Sequence, residues 1–169
     1  MQNLELKARY QNLQQAEKIA LQLGAKKIWT HVQNDIYFIS EKGKLKLRLV
    51  ENQPGDLIFY NRPHDKNATI SNYFIYSSQD PEKLLHFLQN MYVQDKSVQK
   101  TRTLYMYENV RIHLDDVKNL GSFIEFEALM TDQYDQNQCL ETLLFLEREF
   151  KIQENLKIEQ GYYELLTME

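Results

Sequence analysis

Hydrophobic and polar residues alternate along most of this chain, and the alternation predicts a protein built mainly of β-strands. In the first segment, Leu4, Leu6 and Ala8 fall on one side of the strand, whereas Glu5 and Lys7 fall on the other. Turn-forming residues separate the segments that follow. The pattern predicts further strands at about residues 25–32, 35–40, 44–51, 56–62, 70–76, 98–107, 110–115 and 122–130.

Three longer segments have the spacing of amphipathic helices. Asn12 suits the N-cap of a first helix that ends at Gly24, and Asp80-Pro81-Glu82 suits the start of a second. A third helix is predicted around residues 136–150, and the aromatic and leucine residues at 162–166 predict a docked C-terminal segment. The residues expected to be buried by the second and third helices are Leu84, Leu85, Phe87, Leu88 and Met91, and Leu140, Leu143, Leu144 and Phe150. The order of elements predicts an α+β fold, and its hairpin connections are compatible with closure into a barrel.

Composition fits one domain that spans residues 1–169, with 43% hydrophobic and 26% charged residues. The net charge of -4 argues against a protein that wraps nucleic acid, since such surfaces are usually basic. Cys139 is the single cysteine, which excludes an internal disulfide and a zinc site built on cysteines. The chain has neither the pattern of a signal peptide nor an apolar run of about 20 residues, so we expect a cytoplasmic protein without a membrane partner.

The polar sides of several strands carry charges of one sign at every second position. The basic residues on these sides are Lys7, Lys44, Lys46, Arg48, Arg62, Lys100, Arg102 and Arg111, and the acidic ones are Glu5, Asp115, Glu125 and Glu127. One interpretation is the solvent-exposed face of an ordinary antiparallel sheet. The interpretation that we favour is a barrel whose charged faces line the interior, while its apolar faces lie outside under the helices.

An interior with these side chains would carry a net charge of +4. Unpaired buried charges cost on the order of several kcal/mol per ion, so such an interior must contain water or an anion such as a triphosphate. The carboxylates would repel that anion. A hard divalent cation removes the conflict, because Mg²⁺ typically binds one or two carboxylates together with phosphate oxygens and water.

Five stretches resemble the CYTH family, also called the triphosphate tunnel metalloenzymes. They are Leu4-Glu5-Leu6-Lys7, Lys46-Leu47-Arg48, Lys100-Thr101-Arg102, Arg111-Ile112-His113-Leu114-Asp115 and Gly121-Ser122-Phe123-Ile124-Glu125-Phe126-Glu127. The resemblance runs nearly from end to end and includes Asp35-Ile36-Tyr37-Phe38. It implies an eight-stranded, closed antiparallel barrel that binds a triphosphate compound with Mg²⁺ or Mn²⁺.

The resemblance also implies roles for individual residues. By similarity, the phosphate-binding residues are Lys7, Lys46, Arg48, Lys100, Arg102 and Arg111, and the metal ligands are Glu5, Asp115, Glu125 and Glu127. The four carboxylates and Lys7 form the predicted catalytic set. Lys44 and Arg62 join the triphosphate-binding set through their places on the charged faces. One departure is Asn3, which stands where the family signature has the first Glu of Glu-x-Glu-x-Lys and which offers an uncharged oxygen instead.

Three hypotheses about function remain open at this point. The first, which the segment from Val98 to Glu127 favours by resemblance, is a class IV-type adenylyl cyclase that converts ATP to cyclic AMP and pyrophosphate. The second is a triphosphatase acting on inorganic or thiamine triphosphate, and the third is a binder of nucleotides or polyphosphates without catalysis. His113 is interpreted as a hydrogen-bonded lining residue or a base, and Trp29 as a packing residue. We expect a monomer or a homodimer whose partner is a small-molecule triphosphate.

Overall fold

The strands form one antiparallel sheet that carries the three longer helices on its outer side. The computed structural model describes residues 3–61, 69–70 and 72–168. The strands are β1 (Asn3–Arg9), β2 (Lys26–Phe38), β3 (Lys44–Val50), β4 (Gly55–Asn61), β5 (Thr69–Ile70), β6 (Asn72–Ser78), β7 (Gln94–Tyr107), β8 (Val110–Val117) and β9 (Gly121–Leu129). The helices are α1 (Leu13–Gln22), α2 (Pro81–Met91), α3 (Gln136–Glu149) and α4 (Tyr162–Thr167), with a short 3₁₀ helix at Glu154–Leu156.

The order of strands across the sheet is β5-β1-β9-β8-β7-β2-β3-β4-β6. The predicted antiparallel α+β fold is therefore confirmed, but among the described residues the sheet has nine strands and its hydrogen-bond ladder is not closed. The reason is that strands β5 and β6, which are close together in sequence, pair at opposite edges of the sheet. Thr69 and Ile70 pair with β1, whereas residues 72–78 pair with β4. Only Ser71 separates the two strands in sequence.

Strand β2 joins two segments that the hydrophobic pattern separates. Gln33 and Asn34 interrupt the apolar alternation, and the sequence therefore predicts two strands there. In the structure, both residues continue the ladders to β3 and to β7. The side chain of Gln33 is buried on the inner face of the sheet, where polar side chains are the rule in this protein. A polar interruption therefore marks no turn here.

The apolar sides of the strands face outward and pack against the helices. A first cluster, which includes Leu4, Ile124 and Phe126, is covered by residues of α1 and α3 such as Ala16 and Leu143. A smaller cluster, Ile36, Phe38, Leu45 and Leu47, is covered by Leu88 of α2. Each fully buried leucine or phenylalanine contributes roughly 1.5–3 kcal/mol to stability. The predicted orientation, with apolar faces outside and charged faces inside, is confirmed.

The helices begin where the sequence predicts, through side-chain caps. Asn12 accepts a hydrogen bond from the backbone of Gln15, and Asp80 accepts one from the backbone of Lys83. Four residues predicted to be buried are instead exposed, namely Phe87, Met91, Leu140 and Leu144. The buried stripe of each helix is narrower than the apolar pattern suggests. On α2 it consists of Leu88 with the partly buried Leu84 and Leu85.

The C-terminal helix α4 fills one end of the sheet's interior, which confirms the predicted docking of this segment. Tyr162 packs there with Tyr37, Val98, Val117 and Phe123. The rings of Tyr162 and Phe123 lie 4.9 Å apart. Within the described part of the chain, no helix combines the length and the apolar character needed to span a membrane.

Candidate active site

A cavity of about 420 Å³ lies inside the sheet beside the cluster that Tyr162 completes. Side chains from the inner faces of β1–β4 and β6–β9 line it. The predicted site residues that it brings together are Glu5, Lys7, Lys46, Arg48, Lys100, Arg102, Arg111, Glu125 and Glu127. The alternation of each strand is the cause, because residues at every second position share one face.

One wall of the cavity is a basic cluster built around Asp35. Its carboxylate accepts hydrogen bonds from Lys46 at 2.8 Å, from Lys100 at 3.0 Å and from Arg48 at 2.7 and 3.0 Å. The strand register brings these groups together, since Asp35 lies opposite Arg48 on β3 and next to the Gln33–Lys100 pair between β2 and β7. Three cations therefore share one buried anion, and the cluster carries an excess of positive charge.

The pKa values of this cluster reflect that excess. Burial lowers the pKa of Lys100 to about 7; attraction by Asp35 opposes this shift, and repulsion from Arg102, Arg48 and Lys46 adds to it. Burial also lowers the pKa of Lys46 to about 8. Burial alone would raise the pKa of Asp35, but the attraction of Arg48, Lys100 and Lys46 outweighs it and keeps that pKa well below its usual range. An anion that enters the cavity would hold both lysines in their charged forms.

Arg102 is fixed in position by a buried carboxylate behind it. Asp115 accepts two hydrogen bonds from Arg102, at 2.7 and 2.5 Å, and one from the hydroxyl of Tyr162 at 2.7 Å. Asp115 is fully buried and does not line the cavity. The structure therefore places this predicted metal ligand in a bidentate pair that orients Arg102, with Tyr162 as its third partner.

Glu125 is the centre of a second buried cluster. It pairs with Lys7 at 3.0 Å and with Arg102 at 2.8 Å, and its other contact is Nδ1 of His113 at 3.3 Å. Burial and then Arg102 lower the pKa of His113, so the imidazole is neutral at pH 7. A neutral imidazole that donates from Nδ1 to Glu125 leaves Nε2 as an acceptor, 3.8 Å from a carboxylate oxygen of Glu127.

A pair of carboxylates lies on the wall formed by β1 and β9. Glu5 and Glu127 are direct cross-strand partners on the inner face, where two like charges repel each other. Glu127 accepts a hydrogen bond from the side-chain amide of Asn3, and Arg111 lies 3.4 Å from its other oxygen. The Oδ1 atom of Asn3 is buried and has no hydrogen-bond partner.

These groups fit a divalent cation in part. Two carboxylates and an unpartnered amide oxygen are the hard oxygen ligands that Mg²⁺ or Mn²⁺ prefers. Glu125 and Asp115 fit less well, because each is held by a basic side chain within 3.0 Å, whereas Arg111 lies 3.4 Å from Glu127. No cluster of three or more His, Cys, Asp or Glu residues arranged to hold a metal ion occurs in the residues that the structure describes. The donor set that fits best is Glu5, Glu127 and Asn3, so Asn3 can supply an oxygen in place of the signature's first glutamate.

The two remaining predicted triphosphate-binding residues are Lys44 and Arg62. Lys44 does not line the cavity, and it pairs with Glu164 of α4 at 3.1 Å and lies over the ring of Tyr163. Arg62 lies outside the described residues. The predicted interior charge of +4 also needs correction, because Asp35 and Asp56 line the cavity too.

Sequence reasoning missed Asp35 and Tyr162 as site residues. Asp35 lies two residues from both Gln33 and Tyr37, so the alternation of a strand places all three on the same face. This spacing is the signal that could have identified it. Tyr162 belongs to a helix, and its contact with Asp115 becomes visible only when the C-terminal segment is placed against the sheet. The structure also places Trp29, interpreted from sequence as a packing residue, in the cavity lining.

Comparisons with known proteins agree with this architecture. A family model described as "CYTH domain" matches residues 1–162. A protein from Methanocaldococcus jannaschii named "Putative adenylate cyclase" is 24% identical over 172 residues, which cover 98% of both chains. A solved structure from Pyrococcus horikoshii matches with a TM-score of 0.85 at 21% identity, covering 96% of this chain and 98% of that one. A Hippeastrum structure, described as a putative adenylyl cyclase with a dominant triphosphatase activity, matches with a TM-score of 0.73 at 14% identity, covering 98% and 95%.

Proposed function

Because the chain belongs to the CYTH family, we propose that it is a divalent-metal-dependent enzyme that acts on a triphosphate compound. The best candidate reaction is that of a class IV-type adenylyl cyclase, which forms cyclic AMP and pyrophosphate from ATP. One observation carries the proposal: a single cavity has the basic cluster around Asp35 on one wall and the carboxylates Glu5 and Glu127 on another. The name of the Methanocaldococcus relative supports the choice of cyclase.

The basic side chains would bind and align the triphosphate. Lys46, Arg48 and Lys100 are already gathered on one wall, and phosphate oxygens can take up the positive charge that Asp35 leaves uncompensated. The guanidinium of Arg102 is oriented before a substrate binds, because two of its nitrogens donate hydrogen bonds to Asp115. Preorganised cations lower the barrier of phosphoryl chemistry by stabilising charge that develops in the transition state.

His113 is the candidate general base. Its neutral form can accept the proton of the attacking hydroxyl at Nε2, while Nδ1 donates to Glu125. Glu5, Glu127 and the amide oxygen of Asn3 would hold Mg²⁺ or Mn²⁺. The cation, when bound there, would neutralise phosphate oxygens and stabilise the leaving group.

Hydrolysis of inorganic or thiamine triphosphate is the alternative. Both reactions need the same basic side chains to bind the phosphate chain. They differ in the phosphorus that is attacked and in the nucleophile, which is a ribose hydroxyl in the cyclase reaction and water in hydrolysis. The test is product analysis with ATP, thiamine triphosphate and tripolyphosphate, each with Mg²⁺, with Mn²⁺ and with EDTA. Cyclic AMP with pyrophosphate supports the cyclase, and orthophosphate release supports the triphosphatase. Tight binding without turnover in every mixture would refute catalysis and support the non-catalytic binder.

A matched pair of variants tests the assignment of the cavity as the site of turnover. Glu127→Gln should abolish metal-dependent turnover, because it removes one of the two carboxylates on the β1–β9 wall. Glu141→Gln, on the exposed side of α3, should leave turnover unchanged. Equal activity of both variants would contradict the assignment. The cytoplasmic location and the monomeric or dimeric state stay predictions.

A further inference from the structure

An aromatic pair lines the cavity on the N-terminal half of β2. The rings of Trp29 and His31 are stacked, with centroids 4.5 Å apart and planes within 4° of parallel. His31 is in turn 3.2 Å from the side-chain amide of Gln53, which also lines the cavity. Trp29 is only half-buried, although it is the largest side chain on this wall. A residue that serves packing alone would be expected to be covered.

The aromatic pair continues the wall that carries the basic side chains. Along β7, Leu104, Arg102 and Lys100 lie opposite Trp29, His31 and Gln33 of β2, in that order. With about 3.3 Å of strand per residue, the α-carbons of His31 and Asp35 are separated by roughly 13 Å. A ligand whose phosphates contact Lys100 and Lys46 can therefore extend along β2 towards His31 and Trp29.

The two parts of the wall differ in chemistry. The part around Asp35 is dominated by charge, whereas Leu104 and Val50 line the cavity together with the aromatic pair. An inorganic triphosphate would satisfy the charged part and leave the aromatic rings without a partner. A ligand with a flat aromatic ring joined to a triphosphate would satisfy both parts, since a ring stacks on an aromatic side chain through its π-face.

We propose that Trp29 and His31 form a stacking platform for an aromatic heterocycle carried by the triphosphate substrate, and that the platform selects such substrates over inorganic triphosphate. The inference rests on the proposed function, because it assumes that the phosphates bind the basic cluster. Gln53 acts as a positioning residue that holds the His31 ring through its amide. The heterocycle could be a nucleobase or the ring system of thiamine, and the experiment separates the two.

Trp29 is the single tryptophan of the chain, so its fluorescence reports on this position alone. The protein is titrated with ATP or with thiamine triphosphate in the presence of Mg²⁺, at a temperature low enough to prevent turnover. The ligand whose ring stacks should change the tryptophan emission, and the change should reach a plateau as the ligand saturates the site. Tripolyphosphate should bind, as measured by calorimetry, with a much smaller change of emission. Unchanged emission at saturating concentrations of both organic triphosphates would overturn the proposal.

Variants test the energetic consequence. Trp29→Ala should weaken binding of the stacking ligand by about 5- to 150-fold, the loss expected for one stack on an aromatic side chain. Its affinity for tripolyphosphate should change less than about twofold. Trp29→Phe should keep most of the affinity. Tyr92→Ala, which removes an exposed aromatic ring at the end of α2, should change neither affinity.

The outcomes distinguish the inference from the proposed function. If wild-type protein binds none of the three triphosphates, the proposed function fails. If tripolyphosphate binds and Trp29→Ala weakens all ligands equally, or weakens none, the platform alone is refuted. Selective loss of ATP or of thiamine triphosphate supports the platform and identifies the heterocycle.

Discussion

Asp35 is a buried anion shared by one buried cation, Lys100, and two partly buried cations, Lys46 and Arg48, so its charge should be essential for the stability of the ligand-free protein. The substitution Asp35→Asn keeps the size of the side chain and removes the charge that Lys46, Arg48 and Lys100 share. The side chain is 1% exposed, so bulk water compensates poorly for the lost charge. The variant protein should therefore be less stable, and the loss should be reversed by an anion that enters the cavity.

The expected magnitude follows from this burial. Removing one partner of a buried ion pair typically costs about 3–5 kcal/mol. For a protein of this length, 1 kcal/mol corresponds to a change of roughly 2–4 °C in Tm, so Asp35→Asn should lower Tm by roughly 6–20 °C. The loss should be largest near pH 6 and smaller at pH 9. At pH 9 Lys46 and Lys100, with pKa values of about 8 and 7, can lose their protons in the folded state.

Thermal unfolding at pH 6, 7.5 and 9, with and without tripolyphosphate, measures these effects. Asp116→Asn is the matched control, because Asp116 is an exposed aspartate on β8 and its substitution should change Tm little. Tripolyphosphate should raise the Tm of Asp35→Asn more than that of the wild type. A variant as stable as the wild type at pH 6, or one stabilised no more than the wild type by the anion, would refute the reasoning.

Three further predictions concern other parts of the cavity. Triphosphate affinity measured by calorimetry should fall as pH rises from 6 to 9, because Lys100 and Lys46 lose the positive charge that binds phosphate; a constant affinity would contradict their contact with the ligand. Tyr162→Phe should lower the free energy of unfolding in urea by about 1 kcal/mol, because it removes the hydrogen bond to Asp115. Tyr162→Ala also removes the buried ring and should lower it by about 3–5 kcal/mol; equal losses would show that the ring contributes nothing. Mn²⁺ binding measured by electron paramagnetic resonance should weaken at least tenfold in Glu5→Gln and be unchanged in Glu141→Gln, so equal affinities would exclude Glu5 as a ligand.

The orientation of the sheet could be predicted from the sequence because a strand has a period of two. Lys46 and Arg48 share one face while Leu45 and Leu47 share the other, and only one of these faces can pack against helices. The same reasoning places Glu125 and Glu127 inside. It identifies which residues face the cavity and thus most of the candidate site.

Parity could not predict which charged residues pair with each other, because pairing depends on strand register. Asp115 and Glu125 both follow the alternation. Asp115, however, lies opposite Arg102 and pairs with it, whereas Glu125 lines the cavity. Whether the sheet closes could not be predicted from the alternation either. It depends on how residues 69–78 divide between β1 and β4, and the hydrophobic pattern of that segment predicts a single strand.

The central claim is that the charged interior binds a triphosphate together with a divalent cation. A crystal structure of the protein with tripolyphosphate and Mn²⁺ tests it most directly. We predict an anomalous Mn²⁺ peak beside Glu5 and Glu127 and phosphate oxygens within hydrogen-bonding distance of Lys46, Arg48 and Lys100. Phosphate bound only on the outer surface, with the side chains around Asp35 unchanged, would contradict the account.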